Sequence, residues 1–238
     1  MNKPEYDLSI IVPVYNEVKV IGRTLDNIYT KIIASFPGKT EVVVAEDGST
    51  DGTKEILAQM QKEKKFRLVS GVERKGYNRA LKDALGLAQG KYIFLSDSGG
   101  GHEMSDFFKL YEHAQNYSIV SGYKKKRHDP FHRILLSRVY NLYISVLFAH
   151  RFYDIDCGFK IYHKEALDKV LPQVHTLQEC ITTEIVLRMY QQGAKVKEVP
   201  VIHYLRSLEE PARTFSVTKI PKLVFRLFID LIKLRKEI

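Results

Sequence analysis

Tryptophan is absent from the 238-residue chain, and cysteine occurs only at Cys157 and Cys180. Two thiols cannot build a disulfide framework or a four-ligand zinc site by themselves, so reduced thiols and a cytosolic setting are expected. No apolar run reaches about 18 residues without a charge, which argues against a spanning helix. The opening MNKPEYDL lacks the apolar stretch of a secretory leader. No internal repeat or low-complexity linker appears. What is present is 45% hydrophobic and 11% aromatic residues, enough for a sizeable core in one large domain or a domain with an appendage. The net charge of +9 is unevenly placed. Residues 1–120 carry 16 basic and 16 acidic side chains, residues 121–238 carry 21 and 12. The basic half is expected to meet something acidic: anionic lipid, a phosphorylated substrate or nucleic acid.

The first half alternates short apolar strands with helices. Strands are predicted at residues 8–14, 41–45, 66–70, 92–95 and 119–123. Helices are predicted at 18–35, from Asp51 or Thr53 to about Gln61, at 77–87 and around 107–114. Apolar strands in such alternation imply a mainly parallel sheet covered on both faces. In the second half, residues 131–148 are apolar over most of a helix circumference, with a thin polar stripe of Arg133, Ser137, Asn141 and Ser145. Such a helix is buried or lies in a membrane interface. A strand at 159–162, a helix over about 176–192 and a strand at 196–201 follow. Residues 220–234 are amphipathic, with Lys219, Lys222, Arg226, Asp230 and Lys233 expected on the polar face. Leu223, Val224, Leu227, Leu231 and Ile232 are expected on the other. A basic amphipathic helix suits an anionic membrane surface.

Open α/β sheets bind ligands beyond the carboxyl ends of their strands. The residues there are Pro13, Tyr15, Asn16 and Glu17, then Glu46, Asp47, Gly48 and Ser49, then Lys75, Gly76 and Arg79, then Asp97, Ser98 and Gly99. A ring to stack on, carboxylates for base or ribose, and cations for a diphosphate are the mixture a nucleotide needs. Each turn alone is explained by capping and turn chemistry; four in series favour a ligand site.

LSIIVPVYNE (8–17), EVVVAEDGSTDGT (41–53) and KGYNRALKDALGLAQGKYIFLSDS (75–98) resemble family 2 glycosyltransferases of the GT-A fold. GYKKKRHDPFHR (122–133), DIDCGFKIYHKEAL (154–167) and VKEVPVIHYLR (196–206) resemble the branch that glycosylates polyprenyl phosphates, the dolichol-phosphate mannose synthase type. The resemblance implies a Rossmann-like, mainly parallel α/β sheet with helices on both faces. It implies a GT-A domain over 1–210, with a nucleotide-sugar half (1–120) and an acceptor half (121–210), and a basic amphipathic helix over 211–238. Donor-binding residues would be Pro13, Tyr15, Glu17, Asp47, Lys75, Arg79 and Ser98. Asp97 matches the first acid of the D-x-D metal motif and would act in catalysis with Lys124, Arg127 and Arg133. Lys125, Lys126 and Arg206 would meet the acceptor phosphate. The cofactor would be Mg²⁺ or Mn²⁺, bound by Asp97 with weak help from His102.

The second acid of that motif is replaced by Gly99, which weakens the metal site. Leu208, Glu209, Glu210 and Pro211 follow Arg206, where the family has Gly and Ser. The implied activity is inverting transfer of a hexose from a nucleoside-diphosphate sugar to a polyprenyl phosphate, by a protein peripheral on the cytosolic membrane face. An ionised phosphate acceptor needs no general base. A saccharide hydroxyl would need one, and Glu184, read as a solvated helix acid, and Asp156 are the residues to test. A non-catalytic homologue that binds a nucleotide sugar or a membrane partner is the competing reading. Nucleic-acid binding is not expected, because no groove-reading motif is present.

Overall fold

The computed structural model describes residues 4–71, 73–125, 131–204 and 220–238. Seven strands form one sheet: β1 (Tyr6–Val14), β2 (Thr40–Glu46), β3 (Arg67–Ser70), β4 (Gly90–Ser96), β5 (Ile119–Lys124), β6 (Phe159–His163) and β7 (Val196–Val201). Their order is β3-β2-β1-β4-β6-β5-β7. All pairings are parallel except those of β6, which runs antiparallel to both β4 and β5. The sheet is thus mainly parallel, as expected, and the carboxyl ends of β1, β2, β4, β5 and β7 share one rim. The order reverses between β1 and β4, the switch point at which open α/β sheets form their ligand crevice on that rim.

Alternation along each strand feeds two cores. On one face, Ile10 and Val12 of β1 join Phe94 and Ile161 and pack under α1 (Ile21–Asn27), α2 (Thr53–Glu63) and α4 (Phe107–Tyr111). On the other, Ile11, Val43, Ile93 and Leu95 pack under α3 (Tyr77–Leu87), α5 (Phe131–Phe148), α6 (Lys164–Val170), α7 (Ile181–Gln191) and α8 (Ile220–Glu237). Strands covered on both faces need apolar residues at every position, which is why they read as continuous runs rather than alternating ones.

Three expected helices are corrected. The helix over 18–35 becomes a turn, then α1, then a π-helical turn at Ile28–Ile33. The helix expected at 107–114 stops at Tyr111. The helix expected from 176 starts at Ile181, because residues 175–177 are held as a loop by Glu184. The sequence reading also passed over α6.

The two helices singled out in the second half differ from their sequence reading in which way they face. In α5 the described part of the polar stripe, Ser137, Asn141 and Ser145, points inward. Asn141 is 7% exposed, its Oδ1 accepts the Ile155 N–H (3.1 Å), and Ser145 Oγ accepts the Phe152 N–H (3.4 Å). Leu142 and Val146 point outward at 66% and 73% exposure, with Leu135, Leu136 and Val139 beside them. In α8, Leu231 and Leu234 are fully buried, and Phe228 packs edge-on against Tyr143 of α5, ring centroids 4.3 Å apart. Asp230, expected on the polar face, is buried against Lys233 Nζ (2.9 Å) and Arg226 Nε (3.7 Å). Ile232, expected on the packing face, is exposed with Phe225 and Ile229. No helix among the described residues is long and apolar enough to cross a membrane.

Candidate active site

The loops after β1 and β2 are tied to each other before they meet any ligand. Asn16 turns through φ +51°, its N–H donates to Ser49 Oγ (2.8 Å), and its Oδ1 accepts the Thr50 N–H (2.7 Å). The Glu17 N–H donates to Thr53 Oγ1 (2.8 Å), while the Glu17 carbonyl accepts the N–H groups of Val20 and Ile21. The half-buried Tyr15 is thereby fixed at the lip of the crevice, just past buried Pro13.

Asp47 anchors the loops after β2 and β3 to each other. It is 4% exposed, and its Oδ1 accepts two backbone N–H groups, from Lys75 (2.7 Å) and Gly76 (3.1 Å). Gly48 makes this possible. It adopts φ +72°, and a Cβ there would lie 2.7 Å from the Arg74 nitrogen, so only glycine lets the loop after β3 cross so closely. That crossing brings in a residue that sequence reasoning missed. The Arg74 guanidinium lies 4.0 Å from the centroid of the Tyr15 ring, with its Nε 3.9 Å from Asp47 Oδ2. Lys75, its neighbour, contributes its backbone, and its ammonium pairs with Asp83 (3.3 Å) along α3. Arg79 is exposed on the first turn of α3. The run Arg74-Lys75 carried the signal, but which of the two reaches the rim depends on the Gly48 crossing.

On the other side of the crevice, Asp97 follows β4. Its carboxyl is pressed against the backbone of Gly158: a Cβ at that position would fall 2.0–2.3 Å from the carboxyl atoms. The Ser98 carbonyl accepts Thr24 Oγ1–H (2.9 Å), which ties this loop to α1. Glu103 closes the loop onto Lys31 (2.7 Å), a bond that holds its carboxyl down at about 2. The segment 154–158 runs beneath. Its turn is held by Glu198 of β7, whose carboxylate accepts the N–H groups of Tyr153 and Asp154. Asp156 accepts hydroxyls from Thr182 (2.5 Å) and Thr183 (3.3 Å) at the start of α7. Asp156 is an exposed residue, yet the protein packed around its carboxyl end desolvates it and raises it, against the Thr182 bond and Lys160, which lower it. Lys160 is fully buried on β6 and donates to the Cys157 carbonyl, placing an internal cation under these acids. The Tyr77 ring is partly exposed, but burial of its hydroxyl end and the charges of Asp97 and Asp156 push it well above its ordinary value.

His102 does not join Asp97 in a group of metal ligands. It stacks on Phe159 with centroids 5.0 Å apart, and its Nε2 faces Cys157 Sγ at 3.7 Å. Burial, with Lys124 and Lys160 nearby, holds its imidazole down at about 3. Burial pushes the Cys157 thiol up to about 12, so the pair is neutral and neither partner is an activated nucleophile. Among the described residues, no group of three or more His, Cys, Asp or Glu side chains could hold a metal ion.

Glu184 is corrected outright. It is fully buried and accepts the N–H groups of His175, Thr176 and Leu177, together with Arg188 Nε (2.8 Å). It anchors a loop and has no capacity left for a substrate. Lys124 and Lys125 lie at the end of β5, on the same rim as Asp97. Lys126, Arg127, Arg206 and the segment 208–211 lie outside the described residues, as does the side chain of Arg133 on α5.

The arrangement offers a stacking ring, a buried carboxylate and a guanidinium on one side, a second carboxylate across the crevice, and cations at the far strand. The family model for glycosyl transferase family 2 matches residues 9–171. A dolichyl-phosphate beta-glucosyltransferase of Trichomonas vaginalis is 27% identical over 211 residues, covering 82% of this chain and 64% of that protein. The chain spans 62 to 66% of the length of four relatives of that name, which include proteins of Saccharomyces cerevisiae and Dictyostelium discoideum. Glucosyl-3-phosphoglycerate synthase of Mycobacterium tuberculosis, solved with Mn²⁺, uridine diphosphate and glucosyl-3-phosphoglycerate, superposes with a TM-score of 0.70 at 16% identity. It covers 98% of this chain and 81% of that one. The mannosyltransferase PcManGT of Pyrobaculum calidifontis, solved with GDP-Man and Mn²⁺, gives 0.69 at 22% identity, over 97% and 66%. Both share the GT-A fold with this sheet. With the family model matching most of its length, the chain belongs to glycosyl transferase family 2.

Proposed function

We propose that the chain transfers a hexose from a nucleoside-diphosphate sugar to a polyprenyl phosphate, dolichyl or undecaprenyl, with inversion. The reaction takes place at an anionic membrane surface, on its cytosolic face. The observation that carries this reading is that α5, which follows β5, buries Ile144 and Phe148 and still exposes a second apolar stripe of Leu135, Leu136, Val139, Leu142 and Val146. An active site for a soluble acceptor needs no such surface; one for a lipid acceptor does. The names of the dolichyl-phosphate relatives support the acceptor, and the uridine and guanosine ligands of the structural neighbours support the donor class.

In the reaction, an acceptor phosphate oxygen attacks the anomeric carbon. The new carbon–oxygen bond forms as the bond to the nucleoside diphosphate breaks, and the diphosphate leaves with the electron pair. The nucleophile is already ionised, so placement and charge carry the rate. Tyr15 and Asp47 hold the base, Arg74 and Arg79 supply positive charge on the donor side, and Lys124 and Lys125 face the acceptor phosphate. In the sequence, Lys126, Arg127, Arg133 and Arg206 complete that basic set. The described side chains do not make a self-sufficient metal site, since Gly99 brings no ligand. Asp97 would hold Mg²⁺ or Mn²⁺ arriving with the donor diphosphate. The cation's chemistry would be neutralisation of the leaving group.

The test is to incubate the protein with radiolabelled sugar donors and polyprenyl phosphate in anionic vesicles, then extract the lipid phase. Labelled glycosyl phosphate is the expected product. Label on a free saccharide and none on lipid would transfer the reading to a hydroxyl acceptor. Asp156, raised by the protein packed around its carboxyl end beside Asp97, would then be the base.

A further inference from the structure

The loop after β4 offers no side chain at three successive positions. Asp97 and Ser98 are followed by Gly99, Gly100 and Gly101. The next acids in the chain are committed elsewhere. Glu103 is held by Lys31 (2.7 Å), Ser105 Oγ (2.9 Å) and Tyr204 (3.1 Å), and Asp106 by Lys109 (2.6 Å) and the Ile202 N–H (2.6 Å). What approaches the loop instead is a cation. Arg23 is exposed on the first turn of α1, and its Nη2 lies 3.8 Å from the point where a Cβ on Gly100 would stand. Among the described residues, Arg23 makes no hydrogen bond and no ion pair. Its neighbour Thr24 is fully buried and donates to the Ser98 carbonyl (2.9 Å), so the backbone that carries Arg23 is fixed to the loop. We infer that Arg23 takes over the charge that a fuller metal site would supply: its guanidinium binds the donor diphosphate directly, and donor binding does not require a divalent cation. This deepens the function proposed above and rests on it.

The topology puts Arg23 where that charge is needed. In an open sheet a nucleotide's phosphates lie at the switch point, here between the loop that leaves β1 and the loop that leaves β4. Helix α1 rises from the first loop, and the three glycines belong to the second, so Arg23 stands at their junction. A guanidinium presents parallel N–H donors that match two oxygens of a phosphate. The glycines carry no side chain to hold the phosphate away from the backbone. A diphosphate gains negative charge as the sugar leaves, and a positive charge fixed at that point stabilises it. Asp97 by itself gives a divalent cation few of the about six oxygens it takes. A cation that Asp97 holds adds to the charge of Arg23, but it is not what retains the donor.

The experiment is calorimetric titration of the full chain with UDP, GDP and their monophosphates, in Mn²⁺ and then in EDTA. It is repeated on Arg23→Gln and Arg23→Lys. The diphosphate that binds is expected to change its affinity by less than about tenfold in EDTA. Arg23→Gln should weaken it in EDTA by about tenfold or more, the loss of a charge-assisted pair, and weaken the monophosphate less. Arg23→Lys should fall between the two, because an ammonium keeps the charge and loses the fork. Wild-type binding that falls by about tenfold or more in EDTA overturns the inference and leaves the glycosyltransferase reading standing. So does a smaller loss in Arg23→Gln, the result expected of a solvated helix residue, or an equal loss for mono- and diphosphate. Absence of binding by every nucleotide overturns both. Arg23 is exposed, so the variants should melt within about 2 °C of wild type. The comparison of Mn²⁺ with EDTA needs no variant.

Discussion

Helices α3 and α5 lie on the same face of the sheet and divide their residues differently: α3 hides its apolar stripe, whereas α5 buries Ile144 and Phe148 and leaves a second apolar stripe exposed. In α3, Ala80, Leu81, Ala84 and Leu85 are buried, and Arg79 and Asp83 are outside. In α5, Asn141 is inside, with Ser137 and Ser145 along its stripe, and Leu142 and Val146 are outside. Period therefore identifies a stripe but not the side that meets solvent. In α3 the apolar stripe packs onto the sheet beside the other helices of that face. In α5 the polar stripe satisfies the backbone N–H groups of Phe152 and Ile155. The same division runs through the site. The half built on β1, β2 and β3 is braced by bonds between loops. The half built on β5, β6 and β7 is braced by Glu184, Glu198 and Asn141, polar side chains that sequence alone would place in water.

The strongest way to break the donor half is Gly158→Ala. The methyl group would fall on the Asp97 carboxyl, and a displacement of about 1 Å there is expected to lower transfer by about 100-fold or more. Single-turnover rates with saturating donor would show it, and an unchanged rate would remove Asp97 from the reacting geometry.

In the acceptor half, Glu184→Ala strips three backbone N–H groups and Arg188 of their acceptor. The expected loss is about 3–5 kcal/mol of unfolding free energy, measured by urea denaturation. A loss below about 1 kcal/mol would return Glu184 to the surface reading.

The exposed apolar stripe of α5 makes the sharpest contrast. Leu142→Asp with Val146→Asp is expected to leave the melting temperature within about 2 °C, since both residues are exposed. Sedimentation with anionic vesicles should fall by about tenfold or more. The equivalent pair on α3, Leu81→Asp with Leu85→Asp, should unfold the chain. Vesicle binding that survives the α5 pair would detach that face from the membrane.

The smallest effect concerns the loop after Asp97. Lys31 holds the Glu103 carboxyl at about 2, below its ordinary 4.5. A depressed carboxyl stabilises the fold above its unfolded value, and that contribution is lost as pH falls through the folded one. Glu103→Gln should thus cost about 1 kcal/mol at pH 7, discounted because Lys31 is 40% exposed. The gap from wild type should close between pH 4.5 and about 2. A gap that persists at pH 2 would assign the bond to something other than charge.

Much of the fold was legible because its strands are short, wholly apolar and punctuated by Asp, Gly and Ser. The donor loops were legible for the same reason: Asp47, Tyr15 and Asp97 follow strands directly. Arg74 was not, because its place is set by Gly48 passing beneath the next loop. Glu184 was misread because its partners, the N–H groups of residues 175–177, belong to no periodic element. Asp230 and Ile232 of α8 were exchanged between faces because a charged residue flanked by Arg226 and Lys233 can be buried with its partners.

The sequence by itself determined the sheet, its two-sided cover and the polar rim, because each follows from local periodicity and turn chemistry, and the family was legible through the resemblance of its motifs. Only the tertiary structure decided that Asp47 leaves one oxygen without a hydrogen bond, that Arg74 rather than Lys75 reaches the ring, and that α5 keeps a second apolar stripe exposed. Each of those depends on which backbone groups of a distant segment need a partner, and that need arises only when the segments are packed together.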